Sequence, residues 1–296
     1  MNRIIPTILV IIFVFTATLF FINRTSTSNT IQISATFYPL AYFAQQIAGS
    51  RAVVINLTPS GVEPHDFEPT PQDLVKISKS HLFLFNGNGI DGWAEKIAQS
   101  LPDKVKSINI SREVAKSHSI NPQDPHIWLD PVLAKQEVEI ITQALIHQDP
   151  QHKEEYIRNA DRLNARLTSL DEKYIEGLKS CKLNEIIVAH DAFNYLGKRY
   201  RLKMQAITGI SPDEEPSATK LAEIASHVRD NKVPYIFIET LSNPRFSETI
   251  AKETGAKVLE LNPVEGLTTN EVQDGISYFE LMNTNLKNLR IALQCE

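Results

Sequence analysis

The sequence predicts an α/β protein of two lobes with mostly parallel sheets, joined by one long rigid backbone helix. Three observations carry this expectation. Short β-rich runs alternate with longer amphipathic stretches from residue 31 onward, the pattern of parallel strands connected by helices. One stretch, 149–180, breaks that alternation with helical periodicity that no glycine or proline interrupts between Pro150 and Gly177. And 296 residues at 42% hydrophobic content suffice for one large or two medium cores, so each lobe is expected to have its own.

Residues 1–30 come first. Residues 4–22 carry no charge and are bracketed by Arg3 and Arg24, long enough to span a hydrocarbon core. A secretory signal usually has an apolar region of about 7–15 residues, so the expectation is an uncleaved membrane anchor, with cleavage after Ser28 as the alternative. No cysteine follows until Cys181, which excludes lipid attachment at a processed N-terminal cysteine. Either way the body works outside the cytoplasm, in the periplasm or at the cell surface. The first 28 residues hold only Arg3 and Arg24, leaving 28 basic and 35 acidic side chains on the rest, a balance of −7. An acidic body argues against phosphate-backbone binding and fits a cation-tolerant surface, so no nucleic-acid partner is expected.

The first lobe, 31–148, reads as strand "IQISATF", helix "YPLAYFAQQIAG", strand "AVVINL", loop "GVEPHDFEPTP", helix "TPQDLVKISKS", strand "HLFLFNG", loop "DPHIWLDP" and helix "PVLAKQEVEIITQALIHQ". The linking helix, 149–180, has Asp149 as N-cap and Pro150 at the first helical position. At 1.5 Å per residue it reaches roughly 45 Å. The second lobe, 181–296, continues with strand "EIIVAH", helix "SATKLAEIASHVRDN" and strands "VPYIFIET" and "AKVLEL". Cys181 and Cys295, the only thiols, either pair in an oxidising compartment or stay free; a single pair has no spacing signature.

Of the eight histidines, three fall at or beyond a strand's carboxyl end or in a proline-bounded loop, where open α/β sheets collect ligands: His65, His126 and His190. Neutral imidazole is a ligand suited to zinc, copper or nickel. Acidic neighbours recur, with Asp66 beside His65, Asp124 and Asp130 around His126, and Asp191 beside His190, and a carboxylate accepting the second ring N–H would fix each tautomer. Taken singly each is an ordinary loop or strand-end histidine; their shared placement makes a metal site the better reading. His81, His118, His147, His152 and His227 read as structural or solvated.

The stretches "EPHDFEPTPQDL", "NGNGIDGW", "DPHIWLDP", "AHDAFNYLGKRYRL", "GISPDEEPSATKLAEI", "IFIETLSNPRFSETIAKETGAKVLELNPVEGLT" and "YFELMNTNLKNLRIAL" resemble solute-binding protein family 9, the cluster A-I receptors of zinc and manganese ABC importers. They span nearly the whole exported body in the family's order. The resemblance implies two lobes bridged by a long helix and a metal site in the interlobe cleft. It implies that His65 and His126 are ligands from the first lobe and His190 from the second. It implies Glu265 in "LNPVEGLT" as the fourth ligand, as in the family's zinc subgroup, with a water, or an aspartate as in some relatives, as the alternative. Manganese receptors carry a glutamate where this chain has His190, and three imidazoles with one carboxylate suit zinc better than the oxygen-seeking manganese. Zinc is therefore the expected ligand and manganese the alternative. The implied partners are an ABC permease and its ATPase, with the membrane engaged through the N-terminal segment and the body monomeric.

Four protein donors close a tetrahedral site and leave no position for an activated water, so a binding protein rather than an enzyme is expected. An exported zinc-dependent hydrolase, with Glu265 as general base, is the competing reading, but no HExxH helix, Gly-x-Ser-x-Gly elbow or phosphate loop supports it. "FNGNGID" lacks the GxGxxG spacing and reads as a turn. A surface-anchored adhesion or metal-buffering role is a third reading. The chain departs from the family in two places: "REVAKSHSINPQDPH" is short, with only His118 before His126, and an anchor-like segment replaces the usual cleaved signal or lipid anchor.

Overall fold

The computed structural model describes residues 30–87, 89–121 and 123–296; the expected anchor or signal, residues 1–30, lies outside the described residues apart from Thr30. Two four-stranded sheets form, one from each half of the chain. The first contains β1 (Ile31–Ala35), β2 (Ala52–Asn56), β3 (Leu82–Phe85) and β4 (Lys106–Asn109) in the order β2-β1-β3-β4. The second contains β5 (Glu185–Val188), β6 (Lys203–Ala206), β7 (Tyr235–Ile238) and β8 (Lys257–Glu260) in the order β6-β5-β7-β8. All pairings are parallel, so the two halves repeat one topology.

The central strands are covered on both faces, which explains why "LFLF" is a continuous apolar run instead of an alternation. The edge strands β4 ("KSIN") and β6 ("KMQA") escaped the sequence reading because they carry few apolar residues, unlike the other two edge strands, β2 ("AVVIN") and β8 ("KVLE").

The linking helix runs over Lys153–Leu178, 26 residues or about 39 Å, and starts later than the sequence suggested. Asp149 instead ends the preceding helix, Pro131–Gln148, and a 3-10 turn over Pro150–His152 follows. Its carboxylate is occupied by the Tyr156 hydroxyl at 2.7 Å and His152 Nδ1 at 2.5 Å, and so does not cap the long helix. Tyr156, Ala160, Leu163, Leu167, Leu170 and Tyr174 recur every third or fourth residue and form the helix's buried stripe. Along the first half, Asn159 Nδ2 donates to the Ile47 carbonyl at 2.8 Å; along the second, the Tyr174 hydroxyl donates to the Met282 carbonyl at 2.7 Å and Asp171 pairs with Arg199 at 2.7 Å.

A separate core per lobe was expected, but one buried apolar cluster runs from Ile31 to Leu293 through both halves. Alternate strand residues separate it from two smaller clusters: Leu82 and Leu84 face the shared interior, Phe83 and Phe85 the opposite side; likewise Ile186 and Val188 against Ile187. The C-terminal helix Tyr278–Ala292 explains the continuity, because it returns to the first half. Its Tyr278 hydroxyl donates to the Trp128 carbonyl at 2.6 Å, the Tyr278 ring lies 5.1 Å from Phe43, and Arg166 of the long helix stacks 3.9 Å over Phe279. Cys181 and Cys295 are joined in a disulfide that ties the chain's end to the end of the long helix. Among the described residues no helix is long and apolar enough to cross a membrane.

Candidate metal centre

Parallel strands of order 2-1-3-4 leave a crevice at their carboxyl ends, where the connections from neighbouring strands diverge. The side chains of interest project there. His190 lies two residues beyond β5 and Glu239 directly beyond β7, the two adjacent central strands of the second sheet. His65 sits in a 3-10 turn, Pro64–Asp66, in the connection after β2. His126 precedes a second 3-10 turn, Ile127–Leu129.

Asn86, Gly87 and Asp91 of the "NGNGID" stretch, read as a turn, support the His126 loop. Asp91 accepts hydrogen bonds from Thr36 Oγ1 (2.5 Å), Asn86 N (2.8 Å) and Gly87 N (2.6 Å), and Asn86 Nδ2 then donates to the Pro125 carbonyl at 2.8 Å. Gly87 has φ 78, and a Cβ there would meet Asn109 Nδ2 at 2.7 Å, so this turn takes only glycine without rearrangement.

His65, His126, His190 and Glu265 converge so that one donor atom from each lies within 4.8 Å of the others. Glu265 Oε1 stands 3.0 Å from His126 Nε2, 3.4 Å from His190 Nε2 and 3.6 Å from His65 Nε2, and the Nε2 atoms of His126 and His190 are 3.3 Å apart. Four donors placed about 2.0–2.1 Å from one ion at tetrahedral corners are about 3.3–3.4 Å from each other, so the observed spacings bracket that value. His126 and His190 are fully buried, Glu265 is 1% exposed, and neither Glu265 oxygen nor His65 Nε2 has a hydrogen-bond partner of acceptable geometry. Buried polar atoms left this way are costly unless a shared cation satisfies them.

The tautomers are set from behind. His126 Nδ1 lies 2.9 Å from Asp124 Oδ1, and His190 Nδ1 lies 2.7 Å from Glu239 Oε2. Each carboxylate accepts the Nδ1 proton and leaves the Nε2 lone pair facing the centre. Of the acids singled out in the sequence, Asp124 alone does this. Asp66 turns to Asp213, and that shared hydrogen bond, with burial and the Asp213 charge, pushes its pKa up to about 6. Asp130 caps the helix Pro131–Gln148 through Val132 N at 2.8 Å and lies 3.4 Å from Arg199. Asp191 donates its backbone N–H to the Gly209 carbonyl. Glu239, which the sequence reading missed, takes the place assigned to Asp191. Its signal was present, since Glu239 ends "YIFIE" as His190 follows "EIIVA".

Burial opposes charge on His126, but the hydrogen bond to Asp124 and the Glu265 carboxylate 3.0 Å away outweigh it and raise the pKa. On His190 burial is overcome more strongly, by the charge and hydrogen bond of Glu239 and then by Glu265. Burial also pushes Glu265 up, yet the surrounding histidines hold its carboxyl well below the usual range. Glu63, against Glu265, is driven well above that range by burial and by the Glu265 charge. The pocket therefore favours positive charge at its centre, whether protons or a metal ion.

Three of the other histidines are engaged elsewhere. His81 Nδ1 accepts from Gln32 N at 3.0 Å, His152 pairs with Asp149, and His227 Nε2 lies 3.1 Å from Glu185.

Glu265 sits in a tight turn whose preceding residue, Val264, is fully buried at φ 59. A β-branched side chain is disfavoured there, typically by about 1–3 kcal/mol. Asn262 Oδ1 holds the Val264 N–H at 2.7 Å, while Asn262 is itself bonded through its backbone to Asn285 at 2.8 and 2.7 Å.

The profile of the family described as "Zinc-uptake complex component A periplasmic" matches residues 33–292. The sequence is 36% identical over 284 residues to the high-affinity zinc uptake system protein ZnuA of Bacillus subtilis, covering 90% of this chain and 89% of that protein. It is also 36% identical over 284 residues to the zinc-binding lipoprotein AdcA of Streptococcus pneumoniae, covering 90% of this chain but 57% of that longer protein. The fold superposes on the Zn(II)-bound ZnuA-like domain of S. pneumoniae AdcA with TM-score 0.79 at 38% identity, covering 89% of this chain and 99% of that domain.

Proposed function

Because the chain belongs to the zinc-uptake component A family of solute-binding receptors, we propose that it captures a zinc ion outside the cytoplasm with His65, His126, His190 and Glu265 and delivers it to an ABC importer. The observation that carries this reading is the spacing of the four donors, 3.0 to 3.6 Å where measured between Glu265 Oε1 and the three Nε2 atoms, in a buried pocket. Three neutral imidazoles and one carboxylate favour zinc over manganese, which seeks more oxygen donors. With four protein donors the ion has no vacancy at which to activate water, so the chain is a receptor and not an enzyme.

The finer parts of the reading concern organisation. Residues 31–148 and 181–296 act as two lobes about the helix region 149–180, with the ion between them. Residues 1–30 tether a monomeric receptor to the membrane and keep it near the permease and ATPase. The parallel topology of the two halves and the position of the four donors support the first point; the uncharged run 4–22 supports the second.

Metal analysis and competitive titration of residues 30–296 test the reading. One zinc per chain, bound orders of magnitude more tightly than manganese, is expected. Absence of stoichiometric zinc, or tighter binding of manganese, refutes it.

A further inference from the structure

The Glu265 turn is held from both sides by the loops that carry the first-half histidines. Before it, Trp128, two residues beyond His126, donates its indole Nε1–H to the Pro263 carbonyl at 2.8 Å. After it, Gly61, four residues before His65, donates its backbone N–H to the Leu267 carbonyl at 2.8 Å. Trp128 is fully buried and is itself fixed, with its ring edge-on to Phe37 at 4.8 Å, its carbonyl accepting the Tyr278 hydroxyl at 2.6 Å, and the His126 ring 5.3 Å away. Between the two anchors stand Val264 in its left-handed conformation and Gly266, where a Cβ would meet Leu241 Cδ1 at 2.9 Å.

From this geometry we infer that Trp128 is a positioning residue: its indole hydrogen bond to Pro263 holds the strained Val264 turn so that Glu265 already faces the three imidazoles when the ion arrives. The inference rests on the proposed metal site and deepens it. A left-handed valine is a conformation the chain leaves when its restraints weaken. Relaxing Val264 to negative φ would rotate the following peptide and carry the Glu265 carboxylate away from the histidines. Removing the indole donor therefore acts on the ion through Glu265, although Trp128 touches no metal.

The test starts with wild-type protein, where one bound zinc per chain establishes the site itself. Trp128→Phe keeps the ring and deletes the donor. Expected is a loss of zinc affinity of about tenfold, the upper end for one net hydrogen bond. The visible spectrum of the Co(II)-loaded variant should shift toward that of Glu265→Ala as water replaces the carboxylate. In the Glu265→Ala background Trp128→Phe should cost nothing further, because the residue through which it acts is gone. Losses that multiply, or an unchanged Trp128→Phe, overturn the inference while leaving the zinc site intact.

Val264→Gly is the second variant, and its backbone accepts φ 59 without strain. It should bind zinc at least as tightly as wild type and partly restore affinity to Trp128→Phe. A tenfold loss in Val264→Gly alone, or no restoration in the pair, also overturns the inference. If Trp128→Phe does not fold, Val264→Gly alone decides.

Discussion

Replacing His190 by alanine is the most informative single perturbation of the site, because it alters two things whose sizes can be separated. The first is a donor of the proposed zinc site. A four-ligand zinc site of this kind is worth about 10–16 kcal/mol, so an average donor contributes about 2.5–4 kcal/mol, or roughly 60- to 800-fold in affinity. The second is a buried acid. Glu239 is 6% exposed, and its Oε2 holds His190 Nδ1 at 2.7 Å; alanine would leave it with Ser242 Oγ at 3.1 Å and the backbone N–H of residue 190 at 3.3 Å. Partly unsatisfying such a group costs about 1–3 kcal/mol of fold stability. Glu239→Gln separates the two effects, since it keeps the donor but weakens its orientation and should cost about 10- to 100-fold in affinity.

Competition with a chromogenic chelator measures the affinities, and thermal unfolding with and without zinc measures stability. Saturating zinc at about 1,000 times its dissociation constant stabilises wild type by about 4 kcal/mol, a shift His190→Ala should lose at the same zinc concentration. Affinity within fivefold of wild type in a folded His190→Ala protein would remove His190 from the ligand set. A Glu239→Gln loss as large as that of His190→Ala would show that the carboxylate does more than orient the ring.

Three further outcomes are expected. His190→Glu supplies hard oxygen in place of imidazole and should move the zinc-to-manganese affinity ratio toward manganese; an unchanged ratio would mean pocket geometry sets the choice. Zinc affinity should fall with acidification: because the pKa values of His126 and His190 are raised above 6.5, their Nε2 protons persist to higher pH and compete with the ion, by about tenfold per pH unit for each proton displaced. Titrations from pH 5 to 8 in a non-chelating buffer read this, and a flat profile below pH 7 contradicts it. Hydrogen exchange should show zinc-induced protection in residues 61–71 and around His126, His190 and Glu265, but little in the middle of Lys153–Leu178; strong protection there would refute a rigid linking helix.

The parts of the fold legible in the sequence are those where burial constrains composition. Central strands such as Leu82–Phe85 and the apolar stripe of Lys153–Leu178 are covered by other elements and had to be apolar at fixed positions. The edge strands β4 and β6 are largely polar and left no comparable trace, although β2 and β8, also at sheet edges, did. The three histidines stood out because they lie at strand ends or in a proline-bounded loop, whereas Glu265 was one acid among many and emerged only through resemblance. The assignment of Asp66, Asp130 and Asp191 as ring partners failed because contacts made only in the folded chain decide it: Asp66 turns to Asp213, Asp130 caps the helix Pro131–Gln148 through Val132 N, and β7 brings Glu239 to His190. The partner of His190 therefore comes from the neighbouring strand, 49 residues away, as Glu239. The shared interior was equally illegible, because it depends on where the helix Tyr278–Ala292 docks.

That returning helix bears on how the cargo leaves. Two helices cross between the halves, and the disulfide between Cys181 and Cys295 joins their far ends. Pulling the halves apart would expose part of a shared apolar interior rather than flex a connecting strip, and the loss of apolar burial opposes it. Spontaneous escape of the ion is thus left to excursions of the short loops around His65 and His126, which must shed their hydrogen bonds one after another. The residence time of a loaded receptor in free solution should be long, and the work of unloading falls to whatever grips those loops. Traffic through such a system acquires its direction at docking, where the grip is applied, and an undocked receptor holds what it has collected.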